Sequence, residues 1–258
     1  MRRLAPFLIL AVLAGCAATE VGPPRDPAAR LDVARTAYDH KKYDSAILLL
    51  KQFVSDFPGT SLTGEAIYYL GSSYLKTKDY ALGAAEFERL VEDFPKGELT
   101  AQAEYELGLC YFGQSRPAPF DQEMTLRALA QFEHAESEYE GTPAALEAHK
   151  MVTECRSRLA EKEYRAGVVY LKLGYPEIAR KYFENTVVSF SDTRWALIAM
   201  FDEGKSFEKQ GLWNEAMAAY NKVKDDNPGS DLGRKADRRI LAVEKKLKEG
   251  KHIEVKNQ

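Results

Sequence analysis

The side chains best suited to chemistry here are four histidines, three cysteines and 39 carboxylates. Metal binding needs several of these at ligand spacing, and proton transfer needs a matched acid and base. His40, His134, His149 and His252 are scattered over different segments, and none pairs with another histidine, a cysteine or a carboxylate at ligand spacing. There is no glycine-rich phosphate loop, nucleophile elbow or paired-carboxylate motif. The many acids fall in helical patterns, where a solvated face is their ordinary role. The expectation is a protein with no catalytic residues, no metal and no cofactor. Cys110 and Cys155 sit inside helical patterns as well. A disulfide between them stays open, with two small buried apolar side chains as the default.

Cys16 has a different context. Arg2 and Arg3 precede an apolar run from Leu4 to Leu13 that is too short to span a bilayer and ends in Leu13-Ala14-Gly15-Cys16. This is similar to the bacterial lipoprotein signal, in which cleavage leaves the cysteine as a lipidated first residue. An ordinary signal peptide with an incidental cysteine is the alternative. Two or three acyl chains, at about 0.8 kcal/mol per buried CH₂, would anchor the chain without a transmembrane helix. Ala17 and Ala18 follow where an aspartate would favour the inner membrane, so the outer membrane is expected. Residues 1–15 read as the signal and 16–27 as a lipidated tether containing Gly22, Pro23 and Pro24.

The elements that follow are repeats. Pro58 and Pro95 lie 37 residues apart, and the same step separates Ala34, Gly71 and Gly108, and then Gly167 and Gly204. A period of this size signals stacked helical hairpins. Leu70-Gly71, Tyr74, Phe87 and Pro95 fit the tetratricopeptide pattern. In that pattern the glycine lets the second helix approach, the aromatics fill the gap and the proline ends the hairpin. The fold class expected is all-α, a right-handed solenoid of five such hairpins plus a C-terminal capping helix. The repeat domain covers about 28–250, with repeats at about 28–60, 61–97, 98–142, 143–193 and 194–229. The capping helix is expected at 231–248 and a tail at 251–258. Repeat three is interrupted between Gly113 and Phe120, and repeat four opens at Thr142-Pro143 with a helix lengthened to about Leu173. Eight Lys or Arg and four Asp or Glu between Asp231 and Lys251 suit a solvated terminal helix, or contact with anionic head groups. The whole chain carries a formal charge of −3, which becomes −5 once Arg2 and Arg3 leave with the signal. No domain-scale basic excess exists, so nucleic acid is not an expected partner.

A helical solenoid offers a concave surface. One stripe of the first helices reads Leu31, Tyr68, Tyr105, Tyr164 and Phe201, and its neighbour reads Tyr38, Leu75, Phe112, Leu171 and Glu208, flanked by Arg35, Lys76 and Lys172. An aromatic ladder of Tyr38, Tyr68, Tyr105, Phe112, Tyr164 and Phe201 would suit an extended, aromatic-rich peptide. The same aromatics could instead fill contacts between repeats.

Beyond the generic consensus, particular stretches stand out: Cys16 with its signal, Tyr43-Asp44-Ser45-Ala46 leading to Phe57-Pro58, and Ala128-Leu129-Ala130-Gln131-Phe132 after the interruption. Leu159-Ala160-Glu161-Lys162-Glu163-Tyr164, continuing through Tyr170 and Gly174 to Asp192-Thr193, is the most particular. In these the chain resembles the BamD-type, or ComL-type, outer-membrane lipoproteins across almost the whole mature length. The resemblance implies five repeats on a lipid anchor, serving the machine that inserts β-barrel proteins into the outer membrane. It implies docking of the C-terminal half on a periplasmic domain of the barrel-forming subunit, with unfolded outer-membrane protein segments received by the N-terminal repeats. A basic residue on the second helix of repeat four carries partner contact in the family. Tyr182 occupies that column here, with Arg180 and Lys181 just before it, and Arg194 completes the docking candidates. Lys96-Gly97 stands where the family tends to have His-Pro, and Leu62 where an aromatic is often found. A periplasmic repeat scaffold that coordinates envelope constriction or peptidoglycan synthesis is the rival expectation. Such proteins tend to lack the lipoprotein signal and to carry a coiled coil.

Overall fold

A computed structural model describes residues 26–256. Among these residues every regular element is a helix. Five antiparallel pairs follow one another: α1 (Pro27–Asp39) with α2 (Tyr43–Asp56), α3 (Thr63–Thr77) with α4 (Tyr80–Asp93), and α5 (Thr100–Gln114) with α6 (Glu123–Glu138). Then come α7 (Pro143–Lys172) with α8 (Pro176–Ser189), α9 (Arg194–Lys209) with α10 (Trp213–Asp226), and α11 (Asp231–Lys256) alone. Each helix packs on the next, which makes the array a helical solenoid. The first helices of successive pairs also touch one another, whereas the second helices do not. The first helices therefore lie on the inner, shorter arc.

Local chemistry places the helix ends. Asp26 caps α1 by accepting from the Ala29 amide at 3.0 Å, and Thr142 caps α7 by accepting from the Ala145 amide at 3.2 Å, each followed by proline in the first turn. Between pairs a threonine joins the outgoing helix to the incoming one. Thr63 Oγ1 donates to the Phe57 carbonyl at 2.8 Å, and Thr100 Oγ1 donates to the Phe94 carbonyl at 2.7 Å. Phe57 and Phe94 leave the helical region just before their prolines, as expected for a residue preceding proline. Phe190 does so in almost the same conformation with Ser191 behind it, so the proline reinforces this exit without being required for it.

What holds each of the last four pairs closed is a ring laid against a glycine. A Cβ placed on Gly71 would stand 2.8 Å from the Phe87 ring, on Gly108 2.4 Å from Phe132, on Gly167 2.6 Å from Phe183, and on Gly204 2.6 Å from Tyr220. All four rings are fully buried. In the first pair Ala34 and Leu50 occupy the corresponding places and are also buried.

The interruption after α5 is organised by Gln122, a residue without an obvious part in the repeat pattern. Its amide nitrogen donates to the carbonyls of Arg116 at 3.1 Å and Pro117 at 3.0 Å, while its oxygen accepts from Thr125 Oγ1 at 2.7 Å. The capping helix differs from its expected extent. It runs to Lys256 rather than 248, passing Gly250, because an isolated helical glycine costs only about 1 kcal/mol. Ala236, Ile240 and Val243 bury one face of α11 on α9 and α10. Several of its cations meet acids, among them Arg234 with Asp231 at 2.7 Å and Lys246 with Glu249 at 3.1 Å. Cys110 and Cys155 are buried free thiols, pushed up to about 12 mainly by burial.

Gly108→Ala tests the ring-on-glycine contact. A helical glycine-to-alanine change ordinarily stabilises by about 1 kcal/mol. Here overpacking should reverse the sign, with a loss of about 1–3 kcal/mol in denaturant unfolding. A variant as stable as the parent would mean that Phe132 is not held there.

Candidate binding groove

The inner wall shows what became of the expected ladder. Its end members are not available: Leu31 is 3% and Phe201 7% exposed. Phe201 packs on Tyr220 with ring centroids 5.3 Å apart, and the Lys205 ammonium lies 4.7 Å from its ring centroid. The three tyrosines between them are half-buried, each with its ring against the aromatic of its own second helix. Tyr68 meets Phe87 at 6.2 Å, Tyr105 meets Phe132 at 5.9 Å and Tyr164 meets Phe183 at 5.8 Å. Much of the column is therefore packing, because the same aromatic layer that covers the glycines receives these rings.

Their hydroxyls tell them apart. Tyr68 Oη donates to Glu106 Oε1 at 2.9 Å, and Tyr164 Oη donates to Asp202 Oδ2 at 2.8 Å. Each acceptor lies on the first helix of the next pair, 38 residues further on, so these bonds tie neighbouring repeats together. Burial first, and then the facing carboxylate, raises both phenols well above the ordinary tyrosine range. The Tyr105 hydroxyl makes no such bond among the described residues, because the lengthened α7 puts a different part of its helix opposite.

Glu106 is the groove residue that composition and spacing conceal. Besides Tyr68 it accepts from Ser72 Oγ at 2.5 Å and from Gln102 Nε2 at 3.2 Å. Among the described residues no Lys, Arg or His nitrogen comes within ion-pair distance of it. Three side-chain donors face it instead. Next to it, Tyr38, Tyr43, Tyr68 and Tyr69 form an aromatic cluster, with Tyr38 edge-on to Tyr43 at 5.6 Å and to Tyr69 at 5.2 Å. Burial and then the Glu106 charge push the Tyr38 phenol up to about 12. Arg35 reaches over Tyr69 and pairs with Glu65 at 3.1 Å. A cavity of about 350 Å³ opens beside Tyr69 between the starts of α3 and α5.

The second column is less open than expected. Phe112 is roofed by the Arg158 guanidinium, 4.1 Å from its ring centroid. Glu208 accepts from Tyr220 Oη at 2.6 Å and pairs with Arg239 at 2.9 Å, which fastens α11 to the last pair.

The docking candidates fall into two groups. Arg180, Lys181 and Tyr182 share α8. Arg180 lies 3.4 Å from Glu184 and over the Phe207 ring, Lys181 is exposed, and Tyr182 stacks on Tyr170 at 5.3 Å with planes 13° apart. The turn before them exposes Leu173 and Tyr175, and the first turn of α8 exposes Ile178, an apolar edge that single-residue reasoning missed. Arg194 is apart from this group. It starts α9, lies over Trp195 and lines a cavity against α7. Among the described residues no group of three His, Cys, Asp or Glu side chains is placed to hold a metal. Nor is any helix there long and apolar enough to cross a membrane. Cys16 lies outside the described residues.

Stacked helical pairs with a polar and aromatic inner wall define a helical repeat protein. The family follows from the match of residues 31–223 to the one described as "YfiO: Outer membrane lipoprotein": the chain belongs to that family. It is 24% identical to the outer membrane protein assembly factor BamD of Caulobacter vibrioides over 218 residues, covering 83% of this chain and 72% of that one. Among solved structures it is similar to the TPR2AB domain of yeast Sti1 in complex with pHSP90, at 12% identity and a TM-score of 0.43, covering 86% and 84% of the two chains. It is also similar to a thermophilic TPR protein of Thermus thermophilus, at 21% identity and a TM-score of 0.35, covering 84% and 98%.

The two kinds of tyrosine should separate in a mutant cycle. Tyr68→Phe and Glu106→Gln should be coupled by about 1–2 kcal/mol in unfolding free energy. Tyr105→Phe should change stability by less than about 0.5 kcal/mol. Additive Tyr68 and Glu106 effects would show that their hydrogen bond does not join the repeats.

Proposed function

We propose that this chain is a lipid-anchored, periplasm-facing scaffold subunit of the outer-membrane β-barrel assembly machine, acting by binding and not by catalysis. It holds the barrel-forming subunit through its C-terminal half and receives the terminal targeting segment of unfolded outer-membrane proteins in its N-terminal repeats. Family membership supports the outer-membrane association, and the assembly role is that named for the Caulobacter relative. The signal ending at Cys16 supplies the anchor. On the docking side, Arg180, Lys181 and the stacked Tyr182 stand beside the exposed edge of Leu173, Tyr175 and Ile178. A charged group next to apolar surface is a common composition for a protein interface.

The observation that carries the reading is the cluster of Tyr38, Tyr68 and Tyr69 on the inner wall, joined by Tyr43 from the start of α2 and lying next to Glu106. Amphipathic rings with few rotatable bonds give contact area at low entropic cost, which suits an extended aromatic-rich strand. Weak binding, about micromolar or roughly −8 kcal/mol, would permit hand-over.

A photo-crosslinking amino acid at Tyr38 or Tyr105, compared with one at Leu48 or Leu82 on the outer helices, tests this directly. Leu48 is 70% and Leu82 53% exposed. An unfolded outer-membrane protein ending in its native terminal strand should crosslink from the inner positions and not from the outer ones. Equal yields from both sides would remove the groove from the account.

A further inference from the structure

Most arginines with a partner in this fold have a carboxylate: Arg30 with Asp56, Arg156 with Asp192, Arg165 with Glu161 and Arg239 with Glu208 are examples. Around the middle of α7 the pattern changes. An open cavity of about 860 Å³ lies between the Ser115–Phe120 interruption, α7 and the start of α9, with Arg158, Arg165 and Arg194 on its walls. Arg165 is neutralised by Glu161 at 2.6 Å. For Arg158 and Arg194 no carboxylate oxygen comes within 4.0 Å among the described residues, although Glu154 lies on the same wall.

These two guanidiniums are held by rings instead. Arg158 stacks on Phe112 at 4.1 Å and donates to Ser115 Oγ, and Arg194 lies 4.8 Å above Trp195. On the rim Arg116 lies 4.3 Å above Phe120, which is 48% exposed. A guanidinium lying over a ring keeps N–H donors free, all but the Arg158 Nη1 that reaches Ser115, and free donors on one edge match a carboxylate in bidentate fashion. Cations set in place before binding lose little entropy when a ligand arrives. The cavity falls within the size range of ligand clefts and far exceeds one small anion.

We propose that this cavity is a docking site for an acidic segment of a protein partner, whose aspartate or glutamate side chains engage Arg158 and Arg194 while a neighbouring apolar side chain covers Phe120. The site shares only Arg194 with the docking residues named above. It holds whether or not the chain serves barrel assembly, since the chemistry specifies the segment and not the machine.

The test uses the full chain in detergent and a fluorescent, acetylated and amidated peptide, Glu-Phe-Glu-Gly-Glu, with its glutamine counterpart as control. The glutamate peptide should bind, the glutamine peptide should not, and added salt should weaken binding. Arg194→Gln, at an exposed position, should cut affinity about tenfold without moving the unfolding midpoint, and Arg158→Gln should cut it similarly while lowering the midpoint through its lost contacts to Phe112 and Ser115. Arg158→Lys should recover only part of the loss, because an ammonium cannot make the bidentate contact. Equal binding of both peptides, or indifference to Arg194→Gln, would overturn the proposal. It would also fall if an uncharged peptide with a free C-terminus bound while the amidated glutamate peptide did not, or if only anionic vesicles bound. None of these outcomes depends on crosslinking to unfolded barrel proteins, so the two readings fail separately.

Discussion

The contact on which the rest depends is an aromatic ring lying on a helical glycine. Without a Cβ, Gly71, Gly108, Gly167 and Gly204 let the second helix come close enough to seat Phe87, Phe132, Phe183 and Tyr220 against the first. Close packing of this kind transmits position. Each seated ring becomes the floor on which Tyr68, Tyr105, Tyr164 or Phe201 rests. The spacing of the inner-wall aromatics is therefore set by the glycines, one layer below the surface that a partner would meet.

Polar groups then couple one hairpin to the next. Tyr68 to Glu106 and Tyr164 to Asp202 are the same device used twice, a half-buried phenol reaching a carboxylate on the following first helix. Between those joints the inserted loop, pinned by Gln122, and the lengthened α7 break the regular step. That break leaves the Tyr105 hydroxyl without a hydrogen bond among the described residues and opens the cavity with the ring-held arginines. The irregular part of a repeat array is thus where its surface becomes most individual.

The sequence announced the repeats because the glycine–aromatic contact recurs at a fixed step and demands particular residue types each time. It announced the α7 extension because the repeat glycines fall out of step between Gly108 and Gly167. Periodicity gives the angle of a side chain around a helix but not its exposure. Leu31 and Phe201 share the stripe of Tyr105, yet neighbouring helices close over them. Glu106 and Arg158 were hidden for another reason. On a helix an acid or an arginine looks like solvated surface unless its partners are known, and Glu106's donor Tyr68 and Arg158's ring Phe112 lie 38 and 46 residues away in sequence. Gln122 belongs with them, because loops are organised by local hydrogen bonds that no hydrophobic pattern records.

Purification of the lipidated chain from gently solubilised native membranes, with identification of what accompanies it, tests the central claim most directly. The account predicts a large β-barrel subunit bearing periplasmic domains, in steady proportion to the chain. Recovery of cell-wall synthases or envelope-tethering proteins without such a subunit would contradict it, leaving the solenoid intact and giving it a different partner.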